Sequence, residues 1–403
     1  LNEKMHSEKP FDIISVVIDE LDAVITRFGY AESHRLMKEM ADFLTSLSSK
    51  NVYVYRDDCF AFFSDNEGTT ETVCCAIRKR LGGTWVLQGM PVAVSAHADV
   101  LRFPDFAHNC AEVNDILKYA GEHVESGKLV NVIDKKCADG FKHETELVAL
   151  LKNAIENDGF DVYYQPIYNL EKEKYTSAEA LIRLSDTGSF GQVSPDEFIP
   201  VAEKNGLITD IGNIVLKKVC RFISGNRINE LGIDYVEVNL SGVQIVNSSL
   251  PDDIMAVLNE HNVPSHFLNF EMAETAETSN HMAVNIHRIR SGGSGFSLED
   301  FGKVGSGLSK ITDNGFDIIK LDKSLVQPCL DRENNKAGII LESLIGMIRQ
   351  LGIEIAAEGV ETEEMANELI ADGVNYLQGY YYSRPLSEGK FLEFIKQHNM
   401  KGT

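Results

Sequence analysis

The sequence predicts an α/β protein in two parts, a smaller α+β domain followed by a (β/α)8 TIM-like barrel. Three observations carry that expectation. The chain has 403 residues, which suits two or three domains at roughly 100–200 residues each. A polar, apolar-poor stretch, DKKCADGFKHE, interrupts it at residues 134–144. Beyond that point eight apolar strand candidates alternate with helical patterns, the rhythm of a barrel of about 250 residues.

The elements follow in order. FDIISVVI (11–18) is apolar and β-branched, a buried strand. A helical pattern runs on to about Ser46. NVYVY (51–55) and FAFF (60–63) flank Arg56-Asp57-Asp58-Cys59 and read as a hairpin. A helix covers the seventies, and PVAVSAHADV (91–100) reads as one more strand. Helices packed on an antiparallel sheet fit this order. The expected boundaries are a first domain at 11–135, a linker at 136–144 and a barrel at 145–397. A helical pattern over Thr145–Asn157 opens the barrel part. Its strand candidates are VYYQPIYN, TSAEALIRL, YVEVNLS, FLNFEMAE, GFSLEDFG, DIIKLDKSL, IEIAAEGV and NYLQGYYYS. A doubly wound open sheet is the alternative. The barrel is preferred because the count is eight and no GxGxxG turn follows the first strand.

Composition narrows the function. With 61 acidic against 38 basic residues the formal charge is −23, which argues against a DNA- or RNA-coating protein. No apolar run is long enough for a membrane span, and no signal peptide is visible. A start at Leu1 reads as a fragment, with any upstream sensory or membrane segment outside it. Seven scattered cysteines without a CxxC pair read as reduced thiols in a cytoplasm, not a zinc site.

The strand candidates carry polar residues where a barrel gathers its chemistry, at the C-terminal strand ends. They are Gln165, Glu179 with Arg183, Asn239, Glu271 with Glu274, Glu299-Asp300, Lys320 with Asp322, Glu358 and Gln378. Charges inside apolar strands are costly unless paired or bound to a metal. Oxygen ligands of this kind suit Mg²⁺ or Mn²⁺ and suffice for two ions, an arrangement that cleaves phosphodiesters. Taken singly, each has a plain reading: a solvated glutamate, a snorkelling surface lysine, a glycine-rich loop at 302–307, a charged turn at Arg56–Asp58. Only their recurrence on successive strands points to a site.

On these motifs residues 145–397 closely resemble the EAL domain, the phosphodiesterase that opens cyclic di-GMP to pGpG. Tyr164-Gln165-Pro166 is similar to its opening strand, and Glu179-Ala180-Leu181 to its naming motif. The resemblance implies two metal ions on Glu179, Asn239, Glu271, Glu299, Asp300 and Glu358. It implies catalytic roles for Glu179, Lys320 and Glu358, with Lys320 holding the attacking water. It implies substrate contacts from Gln165, Arg183, Asp322 and Gln378, and a loop-stabilising role for Glu274. A homodimer through the barrel is implied as well. One region departs. The family reads two Asp, Phe, Gly and then Thr-Gly-Tyr-Ser-Ser, whereas here Glu299 replaces the first Asp. Lys303 and Val304 replace Thr-Gly, and Gly305 replaces Tyr. One extra methylene displaces a carboxylate in a site that tolerates about half an ångström. A receptor that binds cyclic di-GMP without cutting it is therefore the alternative, and a barrel enzyme for another phosphodiester is a third reading.

Residues 11–135 resemble a degraded GGDEF domain, the cyclase that makes cyclic di-GMP. The signature position reads Arg56-Asp57-Asp58-Cys59-Phe60, without the two glycines that admit phosphates. Ile25 and His34 stand where the family reads guanine, and Leu47 and Lys50 where it has its inhibitory RxxD. Asp19 and Asp58 remain as candidate metal ligands. The resemblance thus implies no cyclase activity and a structural, dimerising or regulatory module.

Overall fold

The computed structural model describes residues 1–5, 9–48, 51–65, 67–125, 127–185, 187–273, 279–302, 311, 315–327 and 335–400. Lys50, Glu274, the altered loop residues 303–307 and Cys329 lie outside the described residues. The chain divides into two compact units, Leu1–Glu146 and Leu147–Thr403.

In the first unit a five-stranded sheet has the order β2-β3-β1-β6-β7. The strands are β1 (Phe11–Ile18), β2 (Tyr53–Arg56), β3 (Cys59–Ser64), β6 (Ala96–Phe103) and β7 (Val130–Val132), with a separate hairpin of β4 (Trp85–Leu87) and β5 (Met90–Val92). β1 runs antiparallel to both β3 and β6. Its every residue is buried, because alternate side chains feed two cores. Ile14 and Val16 pack with Leu36, Met40 and Ile77 of the helices on one face. Phe11 and Ile13 pack with Val113, Ile116 and Leu117 of helix Cys110–Glu122 on the other.

Three local expectations are corrected here. The helical pattern up to Ser46 is two helices, Leu21–Phe28 and Tyr30–Leu47, parted at Gly29 with φ +83°, a conformation that glycine adopts without strain. The strand expected at 91–100 is split between β5 and β6. Pro91 lacks the N–H for an interior ladder position and sits in a hairpin turned at Gln88-Gly89. The linker expected at 136–144 lies inside helix Lys135–Glu156. Its few apolar residues, Cys137, Ala138 and Phe141, suffice because they share one helix face and pack on the core.

The second unit is a closed eight-stranded barrel, and all eight strand candidates form it. They are β8 (Phe160–Asn169), β9 (Lys174–Leu184), β10 (Tyr235–Leu240), β11 (Leu268–Ala273), β12 (Gly295–Phe301), β13 (Ile318–Leu321), β14 (Glu354–Ala357) and β15 (Tyr376–Leu377). Neighbours from β9 to β15 are parallel. β8 runs antiparallel to both β9 and β15, and so closes the ring against the prevailing direction. The cause is the connection at residues 170–173: a parallel neighbour needs a crossover of about a dozen residues, whereas a short turn reverses the chain. A short strand, β16 (Leu386–Ser387), adds to β8.

Strand alternation sorts the side chains. Val236, Val238, Phe270, Phe296, Leu298, Ile319, Leu321 and Ile355 point outward into the core beneath the helices. The other parity faces the barrel axis. Low in the barrel Ile167, Ile318, Ala356 and Tyr376 form a small apolar plug; above it the lining becomes polar. No helix among the described residues is long and apolar enough to cross a membrane, and the six described cysteines are free thiols.

Candidate functional site

Lys320 is the centre of the site. It is completely buried, which overturns the surface-lysine reading. Its parity on β13 aims the ammonium up the barrel axis, where Nζ meets Glu271 at 2.5 Å, Glu358 at 2.7 Å, Glu237 at 3.3 Å and Glu179 at 3.5 Å. Burial alone would push its pKa down, but these four carboxylates hold it well above the usual lysine range. Lys320 is therefore a fixed positive charge at neutral pH.

Glu179 is held on three sides. Gln378 Nε2 donates to Oε2 at 2.6 Å and Asn239 Nδ2 to Oε1 at 3.1 Å. Burial raises its pKa, but the Lys320 charge and these two hydrogen bonds outweigh it and leave Glu179 below the ordinary glutamate value. Gln378 also donates to Gln165 Oε1 at 3.3 Å, and Gln165 donates to the Ser383 carbonyl at 3.1 Å. Gln378 thus fixes Glu179 directly, and Gln165, opposite Glu179 on β8, steadies Gln378.

Glu299 and Asp300 are adjacent, and on a regular strand they would face opposite ways. The β12–β13 register shifts between Leu298 and Phe301, and Asp300 has φ +60°. Such a bulge with a left-handed residue lets neighbours share a face. Both carboxylates therefore reach the mouth. Glu271, Glu299 and Glu358 place oxygens within 4.8 Å of one another, and so do Asp300, Asp322 and Glu358. Glu358 belongs to both groups. Asp322, expected as a substrate contact, joins the second group and also caps helix Lys323–Val326 through Ser324 N at 2.9 Å.

These donors fit divalent cations. They are hard oxygen ligands without histidine or cysteine, as Mg²⁺ and Mn²⁺ prefer. Among the described residues the buried Glu271 carboxylate has only the Lys320 ammonium, at 2.5 Å from Oε1, and its Oε2 accepts no hydrogen bond. Burial pushes the carboxyls of Glu237, Glu271, Glu299 and Glu358 up, Glu299 to about 8. Among the described residues Lys320 alone pairs with these acids, and one lysine does not neutralise so many; the excess takes up protons or cations.

A cavity of about 800 Å³ opens over this centre, lined among others by Glu179, Arg183, Asn239, Ser241, Glu299 and Asp300. That volume is in the range of small-molecule sites. Arg183 lies on the inward parity of β9, near the mouth, with Nη1 on the Ile182 carbonyl at 2.7 Å. Ser241 donates to Glu203 at 2.5 Å on the cavity wall.

Glu237 is a buried acid of the centre that the motif reading passed over. Its signal is in the sequence: YVEVNLS places it two residues before Asn239, on the same face of the strand. Glu274 and the loop at 303–307 fall outside the described residues. In the first unit Asp19 accepts from Ser95 Oγ at 2.8 Å and meets His97 Nδ1 at 2.5 Å, while Asp58 pairs with Arg56 at 3.2 Å. Among the described residues neither belongs to an acidic group that would hold a metal ion.

The EAL domain family matches residues 149–385, more than half of the chain, and the chain belongs to that family. The signaling protein YkoW of Bacillus subtilis is 35% identical over 250 residues, covering 61% of this chain and 30% of YkoW. The cyclic di-GMP phosphodiesterase NbdA of Pseudomonas aeruginosa is 24% identical over 403 residues, covering 97% of this chain and 50% of NbdA. This chain therefore spans less than two thirds of the length of either. The PaMucR phosphodiesterase, solved as a c-di-GMP complex, is 29% identical with a TM-score of 0.56, covering 61% of this chain and 99% of that one.

Proposed function

We propose that the barrel unit is a metal-dependent cyclic di-GMP phosphodiesterase that releases pGpG. One observation carries the reading: buried and half-buried acids around and above Lys320 form two oxygen groups sharing Glu358, beside a cavity lined by Glu179, Arg183, Glu299 and Asp300. The phosphodiesterase names of NbdA and PaMucR support the choice of substrate. Two Mg²⁺ or Mn²⁺ would be held by Glu271, Glu299 and Glu358 and by Asp300, Asp322 and Glu358, with Glu179 and Asn239 alongside. When bound, such ions activate water and neutralise the phosphodiester charge.

The chain's own groups do the rest. Arg183 presents its planar donor fork to a phosphate. Lys320 orients the attacking water and offsets charge developing on the phosphoryl oxygens. Glu358 lies 2.7 Å from the Lys320 ammonium and is the group placed to take the water's proton. Gln165, Gln378 and Asn239 lock the rotamer of Glu179. The first unit is a GGDEF-like regulatory module without cyclase activity. The protein acts in the cytoplasm as a homodimer through the barrel.

The test is chromatography of cyclic di-GMP incubated with the purified protein in excess Mg²⁺ or Mn²⁺. pGpG is expected, and Glu179→Ala should abolish it. The second reading, a non-hydrolysing receptor, rests on Glu299 standing where the family has Asp. Intact but tightly bound nucleotide under both metals would select it.

A further inference from the structure

We infer that Glu237 is the positioning residue of Lys320, the carboxylate that keeps the ammonium in place when divalent cations engage its other partners. The inference rests on the reading of the barrel mouth as a divalent-cation site. Lys320 meets four carboxylates. Three of them, Glu179, Glu271 and Glu358, are the acids assigned to cations. A cation at those oxygens draws them from the lysine, and a completely buried ammonium does not stay charged without a counter-ion.

Glu237 is the exception among the four. Among the described residues it belongs to neither oxygen group at the mouth, and unlike Glu179, which also stands outside both groups, it does not line the cavity over the mouth. It sits two residues before Asn239, which places it about 7 Å deeper along the strand. Only 1% of its surface is exposed. Its Oε1 accepts from Ser297 Oγ at 3.2 Å and from Asn269 Nδ2 at 3.5 Å, and Asn269 Nδ2 also meets Ser297 Oγ at 2.8 Å. Among the described residues Oε2 accepts no hydrogen bond and faces Lys320 at 3.3 Å. One oxygen is thus anchored to neighbouring strands, and the other is left for the lysine. A buried acid of this kind is costly unless it is paired, and Lys320 is the cation that it faces.

Glu237→Gln keeps the shape and removes the charge. The ammonium then leans on Glu179, Glu271 and Glu358, the acids assigned to cations, and competes with a cation for them. Free Mn²⁺, counted by electron paramagnetic resonance, should show about tenfold weaker binding, the usual size of such an outer-layer effect. In a Lys320→Met background the same substitution should change Mn²⁺ affinity by less than about twofold, since no ammonium remains to be positioned. Turnover of cyclic di-GMP by Glu237→Gln should fall in kcat with KM unchanged, because Glu237 does not line the substrate cavity. Ser297→Ala, which removes one anchor and keeps both charges, should weaken Mn²⁺ in the same direction and by less. It carries the test if Glu237→Gln does not fold. Unchanged Mn²⁺ affinity in Glu237→Gln, or an equal loss with and without Lys320, overturns the inference. A wild-type protein that binds no Mn²⁺ overturns the cation-site reading itself, and the inference with it.

Discussion

A completely buried lysine among carboxylates behaves unlike a surface one. Removing one member of a buried charge cluster leaves its partners uncompensated, at a cost of about 3–5 kcal/mol. Lys320→Ala should therefore lower the unfolding midpoint markedly in chelator, and excess Mn²⁺ should recover part of the loss. Thermal melts with and without metal decide this, and a variant as stable as wild type in chelator would refute the charge-centre account. Glu299 poses a separate question. Glu299→Asp withdraws the carboxylate by one methylene to the length usual in the family. Hydrolysis should rise by about tenfold or more, the effect that small misplacements have in such sites. An unchanged rate would place the limit in residues 303–307 instead. Residue types and spacing made Glu179, Asn239, Glu271, Lys320 and Glu358 legible, because each is a polar residue in an apolar strand. Glu237 has the same signature but lies below the motif, and motif spacing does not report depth in a barrel.

At the scale of elements, period-two alternation is what made the barrel readable. It puts the outward apolar core and the inward site on one strand, so a single list of polar interruptions locates both. Backbone reversals are harder to read. The antiparallel run of β8 depends on a short turn, and the common orientation of Glu299 and Asp300 depends on a left-handed residue at Asp300. Neither leaves a mark in hydrophobic periodicity. The end of β15 shows how closely backbone and site are coupled. A Cβ added at Gly379 would lie 2.1 Å from the Val360 carbonyl oxygen and 2.3 Å from its nitrogen. Gly379→Ala must shift the strand end and pull Gln378 from its 2.6 Å hydrogen bond to Glu179. Overpacking of this kind costs about 1–3 kcal/mol. Urea unfolding should show that loss, and Mn²⁺ binding should weaken with it. Wild-type values for both would mean that the segment yields freely.

For the molecule as a whole, apolar-poor composition did not mean an irregular linker, since helix Lys135–Glu156 spans residues 136–144 on a handful of packed residues. The first unit carries its own charge centre, and its pH response follows from it. His97 lies between Asp19 at 2.5 Å and Asp99 at 3.2 Å, and Asp99 also accepts from Asn131 at 2.9 Å. Burial pulls the imidazole pKa down, but hydrogen bonds and charge from the two aspartates raise it to about 9, against 6.5 for a free histidine. A raised folded value means that the imidazolium stabilises the fold fully below about pH 6.5 and loses that contribution as pH climbs through about 9. The difference corresponds to something on the order of 3 kcal/mol. Burial pushes Asp19 up, but the hydrogen bonds from His97 and Ser95 hold it below its usual range. Its contribution is therefore present above the ordinary aspartate value and fades in acid. Unfolding midpoints measured from pH 6 to about pH 10 should thus decline for the wild type, most steeply between about pH 6.5 and pH 9, and level off above it. His97→Gln should start lower and lose that alkaline slope. If the variant keeps the slope, the decline belongs to other groups and the Asp19–His97–Asp99 centre does not govern the stability of this unit.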